Sequence, residues 1–487
     1  MTSRETLALA AVGLPALAAV VLALAPRRSI PVVALVGASA SAAAALVLAT
    51  VALGDPDHPY VGDWLVVDAA AGVLVGVIGL LGLTSVLVSQ DYLSTSRAGL
   101  VRPARGPRVY HVALAAFWAV LVAVPLAGNI GAAWLLVEAT TAASAILVGF
   151  SGKPRALEAG WKYLILTSLG LCFALLGIVL LASVTPGSAL DALSWRSLAE
   201  TVPPGETALV SYLLILAGLA AKIGWAPVHN WLPDAHSEAP PPVSALLSGA
   251  LLPAVLLVAW RSERALEPAV GAATARSVLI GFGLVSLAVA VPFLWRPLAW
   301  KRLLAYSSLE HMGVIALGVG FATPLALAGV AVHIVGHALA KALGFYAATP
   351  LLGHEPRAGG HAVTGIARTQ PALGATMGIS LGALAGLPPS PLFVSEVLIV
   401  AGGIEAGNAW AAAAAAVLLA LGFLGLAHAL MDTTGGKAHR RDSAHAPGLR
   451  LVVVLGSITT VLLLGLAGVA FWLPETGIVE ALVRGIG

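Results

Sequence analysis

The sequence predicts an all-α integral membrane protein of about fourteen transmembrane helices, two of them broken, and three observations carry that expectation. Of 487 residues, 59% are hydrophobic and 10% charged, where a soluble domain carries about 25% charged residues. A bilayer-spanning helix takes about 20 apolar residues, so a chain of mean hydropathy +0.95 has room for more than a dozen and little left for a folded domain outside the membrane. Apolar runs recur along the whole length, and the cations fall mostly in the short breaks between them. This composition excludes a water-soluble enzyme. The pI of about 9.1 then reports orientation in the membrane rather than nucleic-acid binding. The single cysteine, Cys172, excludes an internal disulfide, a Cys-only iron–sulfur site and a CxxC metal site. Any redox centre therefore belongs to another chain, and no cofactor is expected on this one.

The apolar runs place spans at about 6–26, 30–53, 67–90, 110–127, 129–150, 161–184, 208–230, 240–260, 273–294, 300–320, 323–349, 369–404, 408–431 and 450–473. The first run, about Leu7 to Ala25, reads as a span rather than a signal peptide: it is long for an h-region, Glu5 offsets Arg4, and a second apolar run follows after a short Pro-Arg-Arg loop. The run at 369–404 is too long for one crossing and holds Pro388, Pro389 and Pro391, so it is expected to be a broken helix.

Cytoplasmic loops concentrate Lys and Arg, which tests the segmentation. With both termini outside, 17 of the 26 cations fall on the inner side: Arg27, Arg28, Arg97, Arg102, Arg105, Arg108, Lys153, Arg155, Arg296, Lys301, Arg302, Arg357, Arg368, Lys437, Arg440, Arg441 and Arg450. Six, Arg4, Arg196, Arg261, Arg264, Arg276 and Arg484, fall outside, with a cluster in an expected outer loop at 261–276. The remaining three are Lys162, near the start of a span, and Lys222 and Lys341, deep in apolar sequence.

Two spans carry proline breaks, one ending in Lys222-Ile-Gly-Trp-Ala-Pro227 and one holding Gly386-Leu-Pro-Pro-Ser-Pro391. Five spans separate them, and an odd offset inverts the second copy. Inverted repeats with broken helices at matching positions are a transporter architecture in which the breaks mark the conduction site.

An ionisable side chain at mid-bilayer costs at least ~2.5–3.5 kcal/mol, so it faces a cavity or a partner. Glu138, Lys222, the adjacent Glu310 and His311, His333, His337 and Lys341 at four-residue spacing, and Glu396 after the second break all lie in apolar sequence. Spacing of four stacks His333, His337 and Lys341 on one helix face. A buried lysine responds to burial and to a nearby carboxylate in opposite senses, and histidine passes protons either way near neutral pH. The expected proton path is Glu138, Lys222, His333 or His337, Lys341 and Glu396. His229, Asp234, His236, Glu310, His311 and Ser248 are accessory candidates.

Competing readings attach to several of these groups. Glu138 with Lys222 also fits a structural ion pair between helices. His333 and His337 at i, i+4 also fit zinc ligation, but no third ligand is nearby in sequence, so no metal is expected. Glu310 and His311 fit simple bonding to backbone, and His428 with Asp432 fits an interfacial position. Met312 and the scattered tryptophans read as core or interface-belt residues.

The stretch Lys222-Ile-Gly-Trp-Ala-Pro-Val-His-Asn-Trp-Leu-Pro-Asp-Ala-His-Ser-Glu-Ala-Pro-Pro-Pro-Val-Ser-Ala-Leu-Leu247 closely resembles the signature of the antiporter-like membrane subunits shared by respiratory complex I, Mrp-type cation/proton antiporters and membrane-bound hydrogenases. Arg302-Leu-Leu-Ala-Tyr-Ser-Ser-Leu-Glu-His-Met-Gly313 and His333-Ile-Val-Gly-His-Ala-Leu-Ala-Lys-Ala-Leu343 are similar to its later motifs. Asp234-Ala-His-Ser-Glu-Ala, Ser244-Ala-Leu-Leu-Ser-Gly249 and the Glu310–His311 pair look most like group 4 hydrogenase and formate hydrogenlyase subunits of the hydrogenase-4 component F type.

The resemblance covers roughly residues 110–430. It implies fourteen helices in two inverted five-helix repeats, with half-channels meeting on a central polar axis. The corresponding division is an N-terminal three-helix segment at 1–109, a first repeat at 110–260 broken near 222–234, a second at 273–431 broken near 386–396, and a C-terminal helix at 450–487. It also implies Glu138 as coupling carboxylate beside Lys222, His333, His337 and Lys341 on a connecting helix, and Glu396 at the exit. Many members hold histidine where this chain has Ser248, so either a serine- or water-mediated link serves there or the route differs. No long lateral C-terminal helix follows the fourteenth span, which implies the shorter subunit type.

The function so implied is a non-catalytic, proton-translocating subunit of a multi-subunit oxidoreductase complex, hydrogenase-4/formate hydrogenlyase-like or complex I-like, in the cell membrane. Its expected partners are other membrane subunits and peripheral redox subunits. The alternatives are an Mrp-type cation/proton antiporter subunit, where sodium is also bound, and the proton-channel subunit of an inorganic-carbon uptake complex.

Overall fold

The computed structural model describes residues 3–97, 106–187, 192–353, 364–436, 448–470 and 472–473. Among the loop cations weighed above, Arg102, Arg105, Arg357, Lys437, Arg440, Arg441 and Arg484 lie outside the described residues, as does the C-terminal segment from 474.

The chain is a bundle of helices. Helix α1 (Ser3–Leu24) turns back through the Pro-Arg-Arg loop into α2 (Ile30–Gly54). The side chain of Arg4 closes the far end of this hairpin on Asp55, donating to its carbonyl at 2.5 Å and pairing with its carboxylate at 3.2 Å. A two-residue hairpin, Tyr60–Val61 with Val66–Val67, leads into α3 (Ala69–Arg97). Then follow α4 (Pro107–Ala123), α5 (Ile130–Val148), α6 (Pro154–Val184), the short α7 (Trp195–Thr201) and α8 (Glu206–Ile223). After a break come α9 (Leu232–Glu238), α10 (Pro241–Val270), α11 (Ala272–Leu294), α12 (Trp300–Phe321) and α13 (Pro324–Tyr346). The half-length α14 (Pro371–Leu384) and α15 (Pro391–Glu405) precede α16 (Ala409–Gly435) and α17 (Leu449–Ala470).

Thirteen of these helices are long and apolar enough to cross a bilayer. Helices α14 and α15, meeting at the triple-proline break, take the place of the fourteenth as two short pieces. The described residues thus form an almost entirely helical integral membrane protein.

Burial runs opposite to that of a soluble protein. Helices α10 and α12 are wholly enclosed and α13 nearly so, while α1, α2, α6, α16 and α17 keep most of their apolar surface outward. Two of the enclosed helices carry central polar groups, Glu310 and His311 on α12 and His333, His337 and Lys341 on α13. Apolar residues face outward because lipid is as apolar as they are, so helices associate by close packing of small residues. Gly218 of α8 lies against α6, where an added methyl would come within 2.5 Å of the Gly170 carbonyl, and Gly313 of α12 lies against Gly283 of α11 at 2.9 Å on the same measure.

One expectation about loops fails. The cluster assigned to an outer loop at 261–276 is helical: α10 continues to Val270 and α11 begins at Ala272. The cations there are matched internally. Arg261 is buried, pairs with Asp68 at 2.5 Å and donates to the Pro125 carbonyl at 2.7 Å. Arg264 and Arg276 both grip Glu267, at 2.7 and 2.9 Å. These arginines therefore do not report the topology, which explains why they broke the loop-charge asymmetry.

Candidate functional site

Both broken helices expose backbone that the bundle then satisfies. Helix α8 ends at Gly224, whose φ of +80° is the left-handed conformation favoured by glycine. The loop that follows caps the freed groups with indoles: Trp231 Nε1 donates to the Ala221 carbonyl at 2.7 Å, and Trp225 Nε1 reaches the Met312 carbonyl on α12 at 2.9 Å. The second break starts at Gly386, φ +70°. Ser390 closes it, its hydroxyl donating to the Ala383 carbonyl at 3.0 Å while accepting from Leu392 N–H at 3.1 Å as the cap of α15. Non-helical backbone at membrane depth survives only with partners of this kind or beside a water-filled cavity.

Lys222 stands at the end of α8, fully buried. Its Nζ donates to Thr141 Oγ1 at 2.7 Å and to Tyr163 OH at 2.5 Å. Ser144 spends its own hydrogen on the Thr140 carbonyl at 2.6 Å, so it accepts from Tyr163 OH at 2.7 Å. Glu138, one helical turn from Thr141, accepts from Ser168 Oγ at 2.5 Å and leaves its other oxygen unpartnered. Among the described residues no ion pair within 4.0 Å joins Glu138 to Lys222. The two are within electrostatic reach, with hydroxyls of Thr141, Tyr163 and Ser168 around them. The direct structural ion pair weighed from sequence is absent here.

A second group repeats the pattern. Lys341 on α13 is fully buried, donating to the Leu304 carbonyl at 2.6 Å and to Ser307 Oγ. Its carboxylate neighbour is Glu310, again within electrostatic reach rather than in contact. Glu396, half buried on α15, interacts in turn with Glu310. Glu310, an accessory candidate in the sequence, is thus within electrostatic reach of both Lys341 and Glu396. Both carboxylates rest on glycine: a methyl added at Gly422 would sit 1.9 Å from Glu310 Oε1, and one at Gly386 would sit 2.8 Å from Glu396 Oε2.

Helix α10 opens into a π-turn at Leu247–Leu251, a distortion frequent at functional sites. Ser248 sits in this turn, its Oγ 2.7 Å from Ser308 Oγ on α12. His236 on α9 is buried with its ring stacked on Phe345, centroids 5.3 Å apart, and both ring nitrogens unpartnered.

His311, His333 and His337 converge from α12 and α13, although only two of them share a helix. All three are buried. His333 Nδ1 contacts Ser395 Oγ at 2.8 Å, and its Nε2 contacts His311 Nδ1 at 3.0 Å. Ser395 donates to the Leu392 carbonyl at 2.7 Å, so it accepts from His333 Nδ1–H and fixes that ring's tautomer. The carbonyls of Ser248 and Leu384 lie beside His337 and His311 without completing hydrogen-bond geometry, leaving both nitrogens of His337 and Nε2 of His311 unpartnered.

Asp234 and His229 lie apart from this axis. Asp234 pairs with Lys162 at 3.4 Å and Arg302 at 3.2 Å in a charged cavity of about 530 Å³ also lined by Arg155, Glu158 and Ser237. His229 is half buried in the first break. His428 and Asp432 form an exposed contact at 3.5 Å near the end of α16.

Sequence reasoning missed Tyr163, Thr141, Ser168, Ser307 and Ser395, the hydroxyls that hold the charged groups. One signal was available: Thr141 and Ser144 recur at three-residue steps from Glu138, the spacing that lines a helix face.

The family described as NADH:quinone oxidoreductase/Mrp antiporter, transmembrane, matches residues 127–422. The chain belongs to that family. The NADH:quinone oxidoreductase/Mrp antiporter match spans both broken helices and every charged group of the axis. A curated relative, the hydrogenase-4 component F homolog of Methylacidiphilum infernorum, is 34% identical over 373 residues, covering 74% of this chain and 78% of that protein. NADH-quinone oxidoreductase subunit N of Desulforudis audaxviator is 28% identical over 462 residues, 89% of this chain and 88% of that one. Among solved structures, a chain of the membrane-bound sulfane sulfur reductase, an archaeal respiratory membrane complex, shares the fold with a TM-score of 0.82 at 20% identity over 99% of each chain. The resemblance drawn from the motifs, to antiporter-like subunits of the hydrogenase-4 component F type, is borne out.

Proposed function

We propose that the protein is a proton-translocating membrane subunit of a multi-subunit oxidoreductase complex of hydrogenase-4 or complex I type, moving protons along the Glu138–Lys222–Lys341–Glu396 axis. The observation that carries this reading is the repeated motif of a buried lysine held by neutral oxygens, hydroxyls at Lys222 and a hydroxyl with a carbonyl at Lys341, within electrostatic reach of a carboxylate with which it forms no ion pair: Glu138 for Lys222 and Glu310 for Lys341. Neither lysine is locked into a direct ion pair, so its proton is governed by how near the carboxylate's charge is, and withdrawing that charge favours release. Unpartnered polar atoms on Glu138, His236, Glu310, His311 and His337 lie along the same route. A buried polar atom without a partner costs about 1–3 kcal/mol, a cost that a proton route repays in use.

In this reading Ser248 and Ser308 join the two lysine groups, His337, His311 and His333 extend the second, and Glu396 is the outlet. The cavity around Asp234 serves the cytoplasmic face, with both termini outside, as the loop cations favour. The breaks at Gly224 and Gly386 support the division into inverted repeats at 110–260 and 273–431. This chain carries no redox chemistry; peripheral redox subunits supply the charge change near Glu138.

Sodium/proton exchange, suggested by the Mrp members of the family, is the second reading. A lysine beside each carboxylate favours protons, since it repels a second cation. Lys222→Ala and Glu396→Ala in the assembled complex, reconstituted in vesicles, are expected to abolish acidification read by a pH-sensitive dye while leaving complex assembly intact. Normal acidification by both variants overturns the proposal, and sodium uptake dependent on Glu138 replaces it with the second reading.

A further inference from the structure

We propose that His311, His333 and His337 form a binding site for a divalent transition cation, zinc or a close analogue, inside the bundle. One ring nitrogen from each of the three lies within 4.8 Å of the others. Tetrahedral zinc with Zn–N of about 2.0–2.1 Å spaces its ligand nitrogens by roughly 3.4 Å. The observed 3.0 Å between His311 Nδ1 and His333 Nε2 and the 4.8 Å limit bracket that spacing, so modest ring rotation closes the triad.

Three features mark a built site. Among the described residues His337 has two buried nitrogens and His311 one that complete no hydrogen bond, leaving them open to a metal. His333 is oriented from outside the triad by Ser395, which is itself anchored on the Leu392 carbonyl; such an outer partner fixes the tautomer that presents Nε2 to a metal. The donor set is three imidazoles with no carboxylate, which selects zinc, copper or nickel over sodium, magnesium or calcium. Lys341, within reach of His337, opposes the cation's charge, which the three imidazoles must outweigh. Three protein nitrogens leave a fourth position for water.

Occupancy ties up all three imidazoles at once. If the histidines carry protons as proposed above, the bound cation blocks transport; this consequence rests on the proposed function, whereas the binding does not.

The test uses the assembled complex in mild detergent, stripped with chelator and given zinc alone, in a background of Cys172→Ser, His58→Gln and His428→Gln that removes three exposed candidate ligands. One tight zinc per copy of this chain is expected, with an X-ray absorption shell of nitrogen at about 2.0–2.1 Å and imidazole scattering from three rings. Binding is expected to weaken at least tenfold in His311→Gln and in His337→Gln. It is also expected to weaken about 10–100-fold in Ser395→Ala, which keeps all three rings and loses only the outer partner. An oxygen-dominated shell in the unsubstituted triad, or zinc affinity unchanged by the histidine variants, overturns the site. The absorption measurement needs no substitution in the triad and decides even if a histidine variant fails to fold. Tight three-histidine binding that leaves acidification intact upholds the site and overturns the proton route through these histidines.

Discussion

Ser248 on α10 and Ser308 on α12 share a hydrogen bond of 2.7 Å at the place where many relatives are expected to hold a histidine. Ser308 spends its hydrogen on the Leu304 carbonyl at 2.9 Å, the same carbonyl that Lys341 Nζ reaches at 2.6 Å. Ser248 is therefore the donor to Ser308, and it connects to Lys341 through one shared acceptor.

If protons use this link, Ser248→Ala and Ser308→Ala each slow vesicle acidification. A hydrogen bond of this kind is worth about 0.5–1.5 kcal/mol, so the slowing is expected to be severalfold to about tenfold. Because the two hydroxyls act as one unit, the double variant is expected to be no slower than either single one. Multiplying effects show that the serines act separately.

Tyr163→Phe removes one of the two hydroxyls that hold Lys222 and cuts the path to Ser144, while Thr141 remains. Acidification is expected to fall with assembly unchanged, and less completely than in Lys222→Ala. Full activity in Tyr163→Phe shows that Thr141 alone suffices and that the tyrosine is structural.

Glu310 depends on the missing side chain at Gly422. A methyl placed there collides with the carboxylate at 1.9 Å, and overpacking costs about 1–3 kcal/mol. Gly422→Ala is expected to lower the thermal unfolding midpoint of the complex and to cut acidification by moving Glu310. Gly435→Ala, on the same helix with nothing among the described residues within 4 Å of the added carbon, serves as the neutral comparison. Equal behaviour of the two variants removes Glu310 from the route.

The buried Asp68–Arg261 pair is fully bonded: Arg261 also reaches the Pro125 carbonyl, and Asp68 accepts from Ala71 N–H at 2.6 Å. Removing one partner strands the other charge, at a cost of about 3–5 kcal/mol. Arg261→Ala is expected to reduce the yield of folded protein sharply, whereas Asp68→Leu combined with Arg261→Met is expected to recover much of it. Unfolding by chemical denaturant, compared across the variants, measures the difference.

Much of this architecture was legible in the chain because lipid imposes a blunt rule. Twenty apolar residues in a row have few other fates, and Pro388, Pro389 and Pro391 cannot continue a helix. Charged groups in such runs announce themselves, so Glu138, Lys222, His333, His337, Lys341 and Glu396 stood out at once. Their relations did not. Nothing in sequence brings His311 to His333, because helix crossing angles rather than spacing decide which faces meet, and Glu310 as the neighbour of Lys341 depends on the same packing. The hydroxyl residues escaped notice because serine and threonine are unremarkable in apolar helices until a lysine is seen to need them. The loop assigned at 261–276 failed for a related reason: a local count of charge cannot see Asp68 across the bundle.

The Asp68–Arg261 bond joins points 193 residues apart. During synthesis the acid that opens α3 has no counter-charge until α10 has left the ribosome, so the early helices settle only once the middle of the protein exists. A chain ending before Arg261 keeps the Ala71 N–H on the Asp68 carboxylate but lacks the buried cation that balances it.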